Sequence, residues 1–460
     1  MSDTEGVHRR DFLKRTAAAG VGLGVAGSLS PAFGAGAPND RVVVGVMGVN
    51  SRGHYLTEVF ARTAGAEVGY VCDVDGRAVE RAVSSITEPD GGEPLQERAP
   101  EGVTDVRRML ENDDLDAIAI AAPDHWHAPA TLMAMDAGKH VYVEKPCSHN
   151  PHEGELLLDA QQKHPDLVVQ MGNQQRSSPR SIEAIQKIRD GIIGEPYFGR
   201  AWYANDRGPL DLTMPAQAPD WLNYELWQGP APRHDYMENL VHYNWHWRWH
   251  WGTAEICNNG THEIDVCRWA LDVDHPTKVT SSGGRYHYDD DWEAFDTQVA
   301  SYEFGDDKMI TWEGRSCNAN PVKGTDGNPG GGRGASIHGT EGTLIVDRGG
   351  YVVYDNDNNL IEYANEAQTG EQVSGTGTVG GGSNTDRHVA NFLAAIRGEE
   401  DPHSPIEEGR KSVLLCHLGN IAQRTGHTLQ TDPETGKIVE DEEAMALWSR
   451  DYEPGWEPSV

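Results

Sequence analysis

The chain has 460 residues, with 72 Asp and Glu against 38 Lys and Arg, a formal net charge of −34. That length suits two or three domains and a large buried core, and the charge rules out most electrostatic routes to nucleic acid or anionic membranes, which need basic patches. Only 10 residues are lysine; an acidic, lysine-poor surface is expected of a protein held in strong brine, where salt screens self-repulsion.

Residues 9–14 read R-R-D-F-L-K and lead into an uncharged Gly- and Ala-rich run over 16–39. Paired arginines, then Phe12, Leu13 and Lys14, then a weakly hydrophobic stretch resemble a twin-arginine export signal. His8 stands where such signals usually have Ser or Thr. Gly20, Gly22, Gly24 and Gly27 disfavour a stable helix, and the run is too poor in Leu and Ile for a membrane span. The expectation is a chain carried, already folded, outside the cytoplasmic membrane, with no membrane insertion of its mature part.

Residues 41–47, R-V-V-V-G-V-M, read as a buried parallel strand by their β-branched run. They enter the turn Gly48-Val49-Asn50-Ser51-Arg52-Gly53, followed by a helical pattern over 54–61. The next apolar run, 67–72, ends at Asp73. Strand, glycine turn, helix, strand and acid follow the order of a Rossmann βαβ unit. The glycines let the backbone approach a pyrophosphate at the helix N-terminus. Asp73 is placed to accept the ribose hydroxyls of NAD and to repel the 2′-phosphate of NADP. Asn50 replaces the middle glycine, and asparagine tolerates positive φ better than most residues.

Residues 115–122 form another strand, ending in the loop Pro123-Asp124-His125-Trp126-His127 at the edge where open α/β sheets bind ligands. A helix is expected over 129–137. A further strand, 140–143, runs into Glu144-Lys145-Pro146. E-K-P after a Rossmann strand, with the earlier P-D-H-W-H, resembles the Gfo/Idh/MocA oxidoreductases. M-G-N-Q-Q-R at 171–176, N-G-T-H-E-I-D at 259–265 and H-L-G-N-I at 417–421 look like one exported subgroup of that family. The resemblance implies an α/β fold, with a Rossmann domain and a C-terminal α/β domain bearing a large open, mainly antiparallel sheet. It implies a nicotinamide cofactor between them, and a sugar or polyol substrate.

The cofactor residues expected on this basis are Gly48, Asn50, Ser51, Arg52, Gly53, Asp73, Pro123, Trp126, His127, Glu144, Lys145 and Asn173. Oxidation of a secondary alcohol needs its hydroxyl proton removed and the developing oxyanion stabilised. Lys145, at a strand end beside Pro146, is suited to either task, and in the family this lysine contacts the reacting hydroxyl. His262, with a solution pKa near neutrality, is the expected general base. Asn258 lies four residues earlier, on the same helical face. The family usually has Asp there, and Asn orients a hydroxyl without accepting its proton. Asp265, one turn on, is placed either to orient His262 or to pair with Arg268.

Residues 242–251, H-Y-N-W-H-W-R-W-H-W, alternate strictly and read as a half-buried strand or extended loop. Aromatic side chains fall on one face and His242, His246, Arg248 and His250 on the other. Same-face strand neighbours already sit about 6–7 Å apart, so the histidines argue for a sugar-site wall rather than a metal site. No metal is expected. His246, Arg248, Asn258, His262 and Tyr203 are the expected substrate contacts, with Arg285 a weaker one.

Alternating strands and turns over 278–314, 336–346 and 350–354 have antiparallel texture. Glycine-rich stretches at 330–334 and 375–382 read as loop rims, and helices are expected over 387–397 and 405–424. Cys72, Cys147, Cys257, Cys267, Cys317 and Cys416 have no C-x-x-C spacing and read as buried apolar residues. The expected organisation is a signal at 1–37, a Rossmann domain at 38–160 and a substrate domain at 161–385. Helices at 386–430 pack back on the Rossmann domain, and an acidic tail at 431–460 wraps the surface. A homo-oligomer is expected. The expected function is NAD-dependent oxidation of a hydroxyl on a sugar, sugar derivative or cyclitol. The alternatives are redox-neutral glycoside cleavage by the same superfamily and, last, a non-catalytic sugar-binding relative. Cleavage needs a second acid/base, for which His246 and Tyr203 are the candidates.

Overall fold

The computed structural model describes residues 41–89, 92–305, 307–320, 332–365 and 382–460. The expected signal at 1–37 and most of the second glycine-rich stretch lie outside the described residues. The first domain follows the sequence closely: β1 (Val42–Met47), α1 (Arg52–Arg62), β2 (Ala66–Cys72), α2 (Gly76–Thr87), β3 (Glu101–Val103), α3 (Val106–Leu110), β4 (Ala117–Ile120), α4 (Asp124–Asp136), β5 (His140–Val143), α5 (Pro151–Lys163) and β6 (Val169–Met171). The sheet order is β3-β2-β1-β4-β5-β6, with every pairing parallel. Helices bury both faces, so the strands are apolar throughout rather than alternating. Leu56, Val59 and Phe60 cover one face, and Met109, Leu132 and Leu157 the other. Strand order reverses between β1 and β4, which opens a ligand crevice at their carboxyl ends. Strand β6 carries the parallel sheet past the boundary expected at residue 160.

The second domain contains α6 (Pro179–Arg189), β7 (Pro196–Ala204), α7 (Tyr224–Gln228), α8 (Thr261–Leu271), β8 (Lys278–Gly284), β9 (Thr297–Phe304), β10 (Lys308–Arg315), β11 (Arg333–Gly339), β12 (Gly342–Asp347), β13 (Gly350–Asp355) and β14 (Leu360–Asn365). Near the C-terminus come α9 (Gly382–Ile396), α10 (Ile406–Thr425), β15 (Leu429–Gln430) and α11 (Glu442–Met445). The large sheet has the order β14-β13-β12-β11-β7-β10-β9-β8-β15, and its β7–β10 pair is parallel while its other pairs are antiparallel. Burial alternates along β10 because only one face is covered. Helix α8 covers it: Ile264, Cys267 and Leu271 share a core with Ala201, Tyr302, Trp312 and Ile337. The first expected rim is corrected, since Arg333 and Gly334 belong to β11.

Helix α9 returns to the Rossmann domain, where Phe392 meets Phe60 and Tyr142 edge-on at 6.4 and 5.8 Å. Helix α10 ties the two cores together. Its Ile406 and Val413 lie in the first, and its Leu415, Leu418 and Ile421 in the second. The acidic tail does more than wrap the surface: Trp448 is buried, Trp456 meets Trp126 edge-on, and Arg450 pairs with Glu153 at 2.8 Å. All six cysteines are buried and unbridged. Among the described residues, no helix is long and apolar enough to cross a membrane.

Candidate active site

A cleft of about 1730 Å³, counting its mouth, opens at the carboxyl ends of β1, β2, β4 and β5 and reaches α8 and the large sheet. Its lining runs from Gly48 and Asp73 at one end to His262 and Arg333 at the other, an extent that suits a cofactor beside a substrate. At its base Gly48 has φ +82°, and a Cβ there would lie 2.6 Å from the Ala122 nitrogen. A Cβ on Gly53 would lie 2.2 Å from the Gly48 carbonyl oxygen. Both positions therefore demand glycine, and together they bring the start of α1 against the turn. Asn50 does not take a positive φ, so its tolerance for that region is not used. Its Oδ1 instead accepts a hydrogen bond from Arg81 at 2.7 Å.

Asp73 lines the cleft, 8% exposed, and accepts from the Asp75 amide at 2.9 Å. Burial is the main force that raises its pKa to about 6. Ser51 and Arg52 line the same end, and Arg52 Nε donates to Glu144 Oε1 at 2.8 Å. Gln174 donates to that same carboxylate oxygen at 3.0 Å. Pro123, Trp126 and His127 form the β4 edge. The residues after Pro123, expected as a loop, form the first turn of α4, and the His127 ring bridges the carbonyls of Pro146 and Ala122, at 2.6 and 2.7 Å, and so locks that turn to E-K-P. Asn173 stands just behind the lining residues Gln174 and Gln175, buried, with neither side-chain polar atom partnered. The glycine cradle, the acid at the β2 end and the carboxylate-braced arginine fit a dinucleotide.

At the other end, Lys145 Nζ donates to the Asn258 carbonyl at 2.6 Å and to Asn258 Oδ1 at 3.0 Å. Burial holds the Lys145 pKa below its usual value, against the opposing pull of Glu144 and Asp124. A π-helical turn, Ile256–Gly260, precedes α8, and both Asn258 and His262 line the cleft. The His262 side chain is buried, and its Nδ1 has no partner. Burial first, and then the charges of Arg348, Arg333 and Lys145, push its pKa far below the usual histidine range. It is a neutral imidazole. Asp265 does not orient it, because both its oxygens are taken by Arg176, at 2.7 and 2.9 Å, and it also accepts from Ser412. Arg268 pairs with Asp274 and Glu408.

The alternating run 242–251 is not a strand. Asn244–Trp247 is a 3₁₀ turn followed by further turns, so side chains repeat every three residues rather than every two. His242, Tyr243, Trp245 and His246 line the cleft, while Trp247 and Trp251 are core. The three histidines have separate partners: His242 meets Asp75 at 3.1 Å, His246 the Tyr243 carbonyl at 2.6 Å, and His250 the Pro232 carbonyl at 2.8 Å.

Two expected substrate contacts are corrected. Arg248 turns away from the cleft to Thr213, 2.7 Å away, and lies near Asp291 and Glu293. Tyr203 stands behind the lining, its ring under Arg333 at 5.2 Å and its hydroxyl accepting from Asn205. Arg285 serves Asp290 and Asp296.

Three lining residues escaped the sequence reading. Tyr243, on the aromatic face of the alternating run and not among the expected contacts, lines the cleft; its hydroxyl accepts from Arg207 at 2.8 Å, and Arg207 is clamped to Glu255 at 2.7 Å. Arg333 lies in a G-G-R-G stretch that reads as a loop, and Arg348 in a hairpin turn. An arginine entering a strand from glycines is the one local sign that was available.

Two family models match the chain. One is the NAD-binding Rossmann fold of the oxidoreductase family GFO_IDH_MocA, over residues 42–172. The other is that family's C-terminal alpha/beta domain, over 193–337. A glycosyl hydrolase family 109 protein of Saccharopolyspora erythraea is 33% identical over 255 residues, 50% of this chain and 55% of that protein. An alpha-N-acetylgalactosaminidase of Shewanella oneidensis is 30% identical over 216 residues, 44% of this chain and 46% of that one. These matches thus span about half the length of the curated relatives. Levoglucosan dehydrogenase, solved with NADH and levoglucosan, superposes with a TM-score of 0.63 at 17% identity, covering 85% of this chain and 99% of that one. The myo-inositol dehydrogenase of Lactobacillus casei, solved with NAD(H) and myo-inositol, gives 0.59 at 18% identity, covering 86% and 100%. At such identities the solved structures speak for the fold. With both domain models matched in order, and with a glycine cradle and an acid that fit a dinucleotide, the chain belongs to the Gfo/Idh/MocA oxidoreductase family, and its first domain is that family's NAD-binding Rossmann domain.

Proposed function

We propose that this protein oxidises a secondary hydroxyl of a sugar, sugar derivative or cyclitol, using bound NAD. The observation that carries this reading is the pairing in one cleft of a partly buried ammonium, Lys145, with a neutral imidazole whose Nδ1 is unpartnered, His262. NAD, when bound, supplies the ring that accepts the hydride from the carbinol carbon. The chain's own residues handle the proton and the charge. His262 accepts the hydroxyl proton, which a neutral imidazole does and an imidazolium does not. Lys145 donates to the same oxygen as it gains negative charge. Asn258 holds Lys145 in place and orients a hydroxyl, but takes no proton.

A second reading is redox-neutral glycoside cleavage, favoured by the likeness to family 109 glycosyl hydrolases. Oxidation to a ketone acidifies the neighbouring C–H, so an adjacent C–O bond breaks by elimination; water then adds and the hydride returns. This route needs a second proton carrier. Tyr243 suits it better than Tyr203, since it lines the cleft and Arg207 holds its hydroxyl. The export expected from residues 9–39 would favour this reading too, because an enzyme outside the cytoplasm gains from restoring its own NAD in each cycle.

The test is purified, NAD-loaded protein against a panel of sugars and aryl glycosides. Accumulating NADH absorbance marks a dehydrogenase. Release of the aglycone without net NADH marks cleavage. Turnover of neither, under conditions where NAD binds, refutes both readings.

A further inference from the structure

We propose that the substrate carries a carboxylate, held by Arg348 beside Arg333, so that the cleft takes an acidic sugar of the uronate class. This rests on the carbohydrate reading above and deepens it. It starts from the pairing of charges around the cleft. Arg52 is matched by Glu144, Arg207 by Glu255, and Arg333 by Glu263 at 2.7 Å. Arg348 lines the same cleft and, among the described residues, has no hydrogen bond or ion pair. The carboxylate whose field reaches it is Glu263, which Arg333 already engages. Burial, with the like charge of Arg333, brings the Arg348 pKa down to about 9.

An unmatched guanidinium in a partly desolvated cleft is costly, and a ligand anion relieves that cost. The Glu263–Arg333 pair has no positive charge to spare, so one guanidinium is left over. Lys145, held by the Asn258 carbonyl and Oδ1, stays with the reacting hydroxyl, so the surplus beside Arg333 is a single guanidinium, which matches a monovalent carboxylate better than a divalent phosphate. The planar fork of arginine also suits a carboxylate. His262, which feels both arginines, stands in the same cleft. The carboxylate end of the sugar would therefore lie beside the carbon to be oxidised.

The experiment is calorimetric binding to the NAD-loaded protein at constant salt, with glucuronate, galacturonate, their methyl esters, glucose and glucose 6-phosphate as ligands. A charge-assisted hydrogen bond is worth about 1.5–3 kcal/mol, or roughly 10- to 100-fold in affinity. At least one uronate should bind tighter than its ester by that margin. Arg348→Gln should bind acid and ester alike while keeping its NAD affinity, and Arg348→Lys should restore part of the preference. Equal binding of acid and ester, tighter binding of glucose 6-phosphate, or no binding of any sugar overturns the assignment. Equal loss of NAD and uronate in Arg348→Gln also overturns it, by moving the arginine to the cofactor. If that variant does not fold, the acid–ester comparison on the unaltered protein decides. A uronate that binds tightly without reacting leaves the acid site standing and fails the proposed reaction. Neutral sugars turned over without preference for acids do the reverse.

Discussion

Replacing Asp73 by Asn sets stability against cofactor binding. The folded protein holds this carboxylate at a pKa of about 6, against 3.8 in the unfolded chain. At about 1.4 kcal/mol per pH unit, keeping it ionised at neutral pH costs the cofactor-free fold roughly 3 kcal/mol. The sign follows from the protons: between pH 3.8 and 6 the folded state binds more of them. Stability from this group is therefore complete below 3.8 and lost as pH rises through about 6. Asn carries no charge to desolvate and still accepts from the Asp75 amide. The cofactor-free Asp73→Asn protein should therefore be more stable at pH 7 by up to about 3 kcal/mol, and should lose this part of its pH dependence. NAD affinity moves the other way. Losing a charge-assisted hydrogen bond to ribose costs about 1.5–3 kcal/mol, a roughly 10- to 100-fold weaker Kd. NADP, freed from repulsion, should close part of the gap. Denaturant unfolding without cofactor at pH 5 and pH 7, with calorimetry for both nucleotides, reads all of this. A variant destabilised at pH 7, or one binding NAD as tightly as its parent, would refute the reasoning.

Lys145→Met should lower turnover on the sugar substrate by about 10²–10⁴-fold, the usual range for a lost acid–base group, and a change under threefold would remove Lys145 from the chemistry. His388 and His417 are buried, and mainly that burial holds their pKa values at about 4 against 6.5 unfolded. The unfolded chain binds more protons below pH 6.5, so each should withdraw up to about 3 kcal/mol of stability as pH falls toward 4. Unfolding free energies that do not fall across that interval would show them to be charged. Lysine at both Arg9 and Arg10 should leave the chain in the cytoplasm, as fractionation would show, and undiminished export would reject the twin-arginine reading. The melting temperature should climb between dilute buffer and molar KCl if the acidic surface is adapted to brine; a flat profile would count against that adaptation.

Most of the cofactor half was legible in the chain itself. Hydrophobic runs, a glycine turn and an acid after the second strand are local features. The positive φ of Gly48 and the close approach of Gly53 to the Gly48 carbonyl are local demands, to which the Ala122 backbone adds a tertiary one at Gly48. Lys145 was readable for the same reason, being set at a strand end by the residues next to it. The substrate half was legible only in part. Asn258 and His262 share a helical spacing, yet a π turn sets how α8 begins. The run 242–251 has perfect period-two alternation and still folds as 3₁₀ and other turns, because its tryptophans find cores on different sides. Arg348 and Tyr243 carry no local signature, and Arg333 only its entry into a strand from glycines. They share a cleft with His262 only because the folded protein brings β11, the β12–β13 turn and the 243 loop to it. Local sterics and periodicity write a dinucleotide cradle into consecutive residues. A charge balance among groups far apart in the chain exists only once tertiary packing has removed the water between them.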